Sequence, residues 1–164
     1  MRFLVLGAGA VGGYFGGRLA EAGQDVTFLV REARAALLAE RGLSVASPLG
    51  DFRVPAQVAT ADRVGGPYDV VLLTAKHYDL DGAIAAIRPA VGPQTAVLPL
   101  LNGLLHLDRL DAAFGQERVL GGVAYVGARL EPDGSIRHVN RLSGIAQGER
   151  AGGTSERTQA ISAE

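Results

Sequence analysis

Cysteine is absent from the 164-residue chain, which removes disulfides, thiol nucleophiles and zinc ribbons from consideration. Lysine occurs once, at Lys76, among 16 basic residues that are otherwise arginine. Where arginine supplies every other positive charge, a single lysine marks a place for a compact point charge rather than a planar fork. No excess of either sign exists. Sixteen basic residues face 17 acidic ones, the formal net charge is −1 and the pI is ≈ 6.3. That balance argues against a nucleic-acid binder or a protein held on an acidic membrane surface. Long apolar runs are missing too, and none approaches the roughly 18 residues of a membrane span. The leading run Phe3-Leu4-Val5-Leu6 is shorter than the roughly 7–15 apolar residues of a secretory signal, so a cytoplasmic protein is expected. There is no internal repeat and no low-complexity tract. His77, His106 and His138 lie 29 and 32 residues apart, without an H-x-x-x-H pair, and predict no metal site. No G-x-S-x-G elbow is present, which speaks against acyl transfer.

What is present describes a globular chain of one-domain length, 48% hydrophobic and 20% charged. Phe3–Leu6, Val26–Val30, Asp69–Thr74 and Thr95–Pro99 read as strands buried on both faces. Helices are expected over Gly9–Ala22, with Val11, Phe15, Leu19 and Ala22 on one stripe, and over Glu32–Arg41, Asp79–Ile87 and Leu104–Phe114. Gly23 and Gly42 follow two of these helices as caps. Leu43–Val58, broken by Pro48, Gly50 and Pro55, reads as an irregular hairpin-like excursion. After Gly115 the pattern turns to strands: Val119–Val126, Ala128–Leu130, Ser135–Val139 and Ser143–Gln147, with a turn at Pro132-Asp133-Gly134. Ser155–Glu164 reads as the start of a helix that is then cut off, as in a fragment. Alternating strands and helices predict an α/β, Rossmann-type doubly wound fold. Its sheet is mostly parallel with helices on both faces, and extra antiparallel strands follow toward the C-terminus.

Glycine makes up 23 of the 164 residues, about twice the usual share of roughly 7%. Gly7-Ala8-Gly9-Ala10-Val11-Gly12 fits G-x-G-x-x-G directly between a buried strand and a helix. Gly7 suits the tight turn, Gly9 a close approach of backbone to a pyrophosphate, and Gly12 close packing of helix on strand. The helix start offers unpaired N–H groups to phosphate. Gly12/Gly16 and Gly13/Gly17 keep one helix face thin against the sheet. At the end of the second strand a cofactor site selective for NAD places an acid. Here Arg31 stands 22 residues past Gly9, and a guanidinium suits the 2′-phosphate of NADP. The alternative is a solvated Arg31 with Glu32 as the acid. Lys76 and Asn102 each follow a strand at the end where ligands bind in parallel sheets. Lys76 suits a ribose or phosphate oxygen, and Asn102 suits a carboxamide, ribose or substrate hydroxyl. A surface lysine and an Asn-Gly turn are the plain alternatives.

These motifs together resemble the ketopantoate reductase (2-dehydropantoate 2-reductase) family. The resemblance runs through Gly7 to Gly16, Val26 to Arg31, Thr74-Ala75-Lys76, Leu101-Asn102-Gly103, Leu120 to Val123 and Gly144 to Glu149. It implies an NADPH-dependent reduction of 2-dehydropantoate to pantoate, toward pantothenate and coenzyme A, with a small 2-oxo acid as substrate. Carried onto this chain, the loop Gly7–Gly12 holds the pyrophosphate and Arg31 the 2′-phosphate. Lys76 and Asn102 stand by the nicotinamide ribose, Asn102 also near substrate, and backbone near Gly127 lines the cofactor. The family has a second, helical domain that carries the general-acid lysine, and that domain is absent from this sequence. No catalytic residue is therefore expected within the chain, Lys76 included, and residues 1–164 are expected to form a truncated NADP-binding domain. Association with a missing helical domain or into a homo-oligomer is the expected partnership. Leu101 departs from the Gln or His that commonly precedes Asn-Gly in the family, which leaves the finer substrate preference open. A reductase of another 2-oxo acid on the same fold, or a non-catalytic dinucleotide sensor, is the alternative.

Overall fold

The computed structural model describes residues 1–74 and 80–164. In chain order the first elements are β1 (Arg2–Leu6), α1 (Ala10–Glu21), β2 (Asp25–Leu29), α2 (Glu32–Arg41), β3 (Leu43–Ala46), β4 (Phe52–Val54) and β5 (Gln57–Ala59). They are followed by β6 (Val70–Leu73), α3 (Leu80–Ile87), β7 (Ala96–Pro99), α4 (Leu105–Phe114), β8 (Gly121–Leu130), β9 (Ile136–Gly148) and α5 (Glu156–Ser162). The main sheet has the order β5-β2-β1-β6-β7 and every pairing in it is parallel. Val119 adds a further parallel bridge beside Val97, and the Leu120 N–H donates to the Val97 carbonyl at 2.9 Å. The chain thus starts in the middle, winds outward one way, then returns and winds outward the other way. This is the doubly wound order, and its switch point lies between β1 and β6.

Strand alternation assigns the two faces. Phe3, Val5, Val26, Phe28, Val70 and Leu72 pack with Tyr14 and Phe15 of α1 and Leu38 of α2. Leu4, Leu29, Val71, Leu73 and Val97 pack with Leu80, Ile84 and Ile87 of α3 and Leu110 and Phe114 of α4. Covering both faces removes the strands from water, which is why they read as unbroken apolar runs.

A second sheet, β4-β3-β9-β8, lies against the outer side of α1. β3 and β4 form the expected hairpin, whereas β5 leaves it and joins the edge of the main sheet. The four strands expected after Gly115 are two long ones. Their register passes from Val126↔Ser143 to Ala128↔His138 across Gly127, so the suspected breaks are a bulge within one hairpin. Asn140 fills this bulge, its Oδ1 accepting from the N–H groups of Gly127 (3.2 Å) and Leu142 (3.1 Å).

α1 is therefore sandwiched, and its glycines serve two faces rather than one. A Cβ on Gly12 would overlap the Gly7 carbonyl and Thr74 Oγ1, and one on Gly16 would press on Phe28 in the main sheet. A Cβ on Gly13 would meet Ile136, and one on Gly17 would meet Leu43 and Phe52, all in the second sheet. Tyr14, outside the expected apolar stripe, is fully buried for the same reason. It packs on His138 with ring centroids 4.5 Å apart and donates to Ser143 Oγ at 2.9 Å.

Candidate functional site

The carboxyl ends of β1 and β2 open into a cleft of about 890 Å³. Gly7, Ala8 and Gly9 form one wall, Arg31 and Arg34 of the β2–α2 segment another, and Thr60 lies after β5. Gly7 has φ +96°, and its N–H donates to the Leu29 carbonyl at 3.0 Å, so the chain turns sharply off β1 while staying tied to β2. That backbone region favours glycine. Gly9 is the N-cap of α1 and makes no side-chain cap bond. The first intrahelical amide is that of Gly13, which donates to the Gly9 carbonyl at 2.8 Å. The Ala10, Val11 and Gly12 amides therefore sit at the unpaired, partly positive end of the helix. A Cβ built on Gly9 meets nothing within 4 Å, so open space lies in front of the loop. These features fit a diphosphate.

Thr74, at the end of β6, braces the loop from below. Its hydroxyl donates to the Leu6 carbonyl at 2.7 Å and lies 3.4 Å from the Gly7 carbonyl. Arg31 is the N-cap residue of α2, is exposed and lines the same cleft as Glu32. Both candidates for the adenosine ribose thus face one space. Arg34, one turn further along α2, donates to the Ala8 carbonyl and to the Gly134 carbonyl, each at 2.8 Å. Partial burial pushes its pKa below the ordinary arginine value.

Asn102 is exposed just past the end of β7, with Gly103 turning behind it at φ +80°. It lies at the same edge of the sheet as the loop but is not part of the cleft wall. Gly127 sits in the β8 bulge with its amide bound to Asn140. Lys76, His77 and the expected helix start at Asp79 lie outside the described residues. Sequence reasoning missed Thr74 and Arg34. The signal for Arg34 was readable in principle, because an arginine in the first turn of a helix is opposed by the helix dipole. Such a position needs another reason.

Comparison with known proteins identifies the family. Residues 3–152 match the family described as "Ketopantoate reductase PanE/ApbA". The chain belongs to this family. It is 40% identical over 161 residues to an uncharacterized oxidoreductase, YkpB, of Bacillus subtilis, covering 98% of this chain and 53% of that protein. It is 30% identical over 185 residues to the 2-dehydropantoate 2-reductase of Mesorhizobium japonicum, covering all of this chain and 56% of that one. The crystal structure of the 2-dehydropantoate 2-reductase of Geobacter metallireducens superposes with TM-score 0.88 at 35% identity, over 99% of this chain and 54% of that one. The chain spans about half the length of the relatives it matches. Among the described residues no helix is long and apolar enough to cross a membrane.

Proposed function

We propose that this chain is the cofactor-binding half of an NADPH-dependent reductase of a 2-oxo acid, with 2-dehydropantoate as the substrate and the cytoplasm as its place of work. The observation that carries the reading is the convergence, on one cleft, of an uncapped helix start behind a glycine loop and Arg31 at the end of β2. Gly7 to Gly9 shape the wall, and the amides of Ala10, Val11 and Gly12 take the pyrophosphate. Arg31 takes the 2′-phosphate through a charged pair of hydrogen bonds. Lys76 and Asn102 serve the nicotinamide ribose, Asn102 reaches the substrate, and the backbone at Gly127 forms an adjoining wall. Bound NADPH supplies the hydride. The proton for the product hydroxyl comes from a lysine in a helical domain beyond these 164 residues, so the chain alone binds cofactor without turning substrate over.

Titration of the purified chain with NADPH and with NADH, followed by nicotinamide fluorescence, tests the reading. NADPH binds more tightly, and Arg31→Ala weakens NADPH by about tenfold to a hundredfold while leaving NADH nearly unchanged. Equal affinities that ignore Arg31→Ala would remove the 2′-phosphate assignment. A folded chain that binds neither dinucleotide would overturn the reading as a whole.

A further inference from the structure

Arg34 is placed where a guanidinium is not expected. It is the third residue of α2, beside helix amides that already carry partial positive charge. It is partly buried, and desolvation alone accounts for its lowered pKa, without a carboxylate partner among the described residues. Its Nε is shielded from solvent and makes no hydrogen bond among them. Its two remaining nitrogens are spent on backbone carbonyls that lie 26 and 100 residues away in sequence. One of these, Ala8, is the second residue of the glycine loop. The other, Gly134, is the turn of the β8–β9 hairpin and adopts φ +87°. A Cβ on Gly134 would come within 2.7 Å of the Arg34 guanidinium, so the turn closes down on the arginine.

We infer that Arg34 is a positioning residue for the pyrophosphate of the bound dinucleotide, acting by fixing the Ala8–Gly9 peptide; this rests on the dinucleotide reading above. The peptide is planar and trans, so holding the Ala8 carbonyl on one side fixes the Gly9 N–H on the other. That amide has no protein partner among the described residues, and it belongs to the residue in front of which the cleft is open. The Gly134 bond fixes the guanidinium plane in turn, so the second sheet sets the geometry of a loop built on the first. Arg31 and Arg34 then divide the work. Arg31 distinguishes NADPH from NADH, while Arg34 serves the diphosphate that both dinucleotides share.

The test compares Arg34→Gln and Arg34→Lys with the unsubstituted chain, using NADPH and NADH titrations with thermal unfolding as the control for folding. ³¹P NMR of bound NADP⁺ resolves the pyrophosphate from the 2′-phosphate. Both substitutions are expected to weaken NADPH and NADH by the same factor, about tenfold, and to move the pyrophosphate resonances but not the 2′-phosphate resonance. Lysine keeps the charge but lacks the planar fork that spans two carbonyls, so it does not restore binding. Unchanged NADH affinity, a loss confined to NADPH, or movement of the 2′-phosphate signal alone would overturn the assignment. If the substitutions unfold the chain, the Arg34 Nε–H resonance of the unsubstituted protein is followed instead. A shift with both NADH and NADPH supports the assignment, and no shift with NADH removes it. A folded unsubstituted chain that binds neither dinucleotide defeats the parent reading, and the Arg34 assignment with it. Normal binding that is indifferent to Arg34 defeats this inference alone.

Discussion

Gly12 and Gly13 are neighbours on one helix with the same intrinsic cost to helix formation, and they differ in what stands against them. Gly12 faces a backbone carbonyl and the braced hydroxyl of Thr74, neither of which can retreat without breaking the loop. Gly13 faces the terminal methyl of Ile136, which can change rotamer. Gly12→Ala is therefore expected to destabilise by about 3 kcal/mol, the upper range of an overpacked core. For Gly13→Ala the gain in helix propensity, about 1 kcal/mol, offsets most of the milder crowding. Denaturant unfolding of the two single variants checks the contrast. Adding Ile136→Val, which removes the offending methyl, should bring Gly13→Ala close to neutral, and a Gly12→Ala protein as stable as Gly13→Ala would refute the argument. The glycine motif itself was legible because it is local: strand, turn and helix start lie within twelve residues. The partners that make each glycine necessary were not, since Thr74 and Ile136 arrive from far along the chain.

Among the elements, α5 is held by charge. At seven residues it is too short to persist alone in water. Ser155 caps it in a reciprocal box with Thr158, and Arg157 grips the Glu149 carboxylate at 2.6 Å and the Glu117 carbonyl at 2.6 Å. The Arg157 guanidinium, with help from the Ser155 hydroxyl, pulls the Glu149 carboxyl from 4.5 down to about 2. A carboxylate whose pKa falls on folding contributes stability that is complete above its unfolded pKa and is lost as pH drops through the folded one. The attachment of α5 should therefore weaken between about pH 4.5 and pH 2. Hydrogen exchange should show α5 amides losing protection over that range before those of β1 and β6. Glu149→Gln should loosen α5 at neutral pH by about 1–2 kcal/mol and flatten the acid response. An acid response unchanged by this substitution would assign it to other carboxylates. The helix start at Ser155 was readable from the sequence. Its dependence on Glu149, six residues earlier, was not, because the contact exists only once the turn after Glu149 folds the helix start back onto it.

Over the whole molecule, α1 is the shared layer of two sheets, and the second sheet turns its other side outward. Val123, Tyr125 and Val139 stand exposed there, at 53%, 53% and 58%. An apolar face of this kind on a chain half the length of its relatives favours association. Size-exclusion chromatography should show the chain moving to larger species as concentration rises. Tyr125→Lys combined with Val139→Glu should restore a monomer without changing cofactor affinity. Concentration-independent elution would show that this face is well solvated as it stands.

Patterns that are local along the chain were determined by the sequence itself. The alternation of apolar strands with amphipathic helices specifies a parallel sheet, because strands covered on both sides must be apolar throughout. The run of glycines after the first strand specifies a tight turn into an uncapped helix start, because the left-handed backbone at Gly7 favours glycine. Tertiary structure decided what depends on closure over long separations. It paired β3 in parallel with β9, joined four short strand signals into one bulged hairpin, and buried Tyr14 between two sheets. It also brought the Arg34 guanidinium onto Ala8 and Gly134 at once. The physical reason is common to all of these: residue spacing encodes which face of an element is apolar. Which distant backbone carbonyl, methyl or edge strand meets that face is settled only when the layers pack.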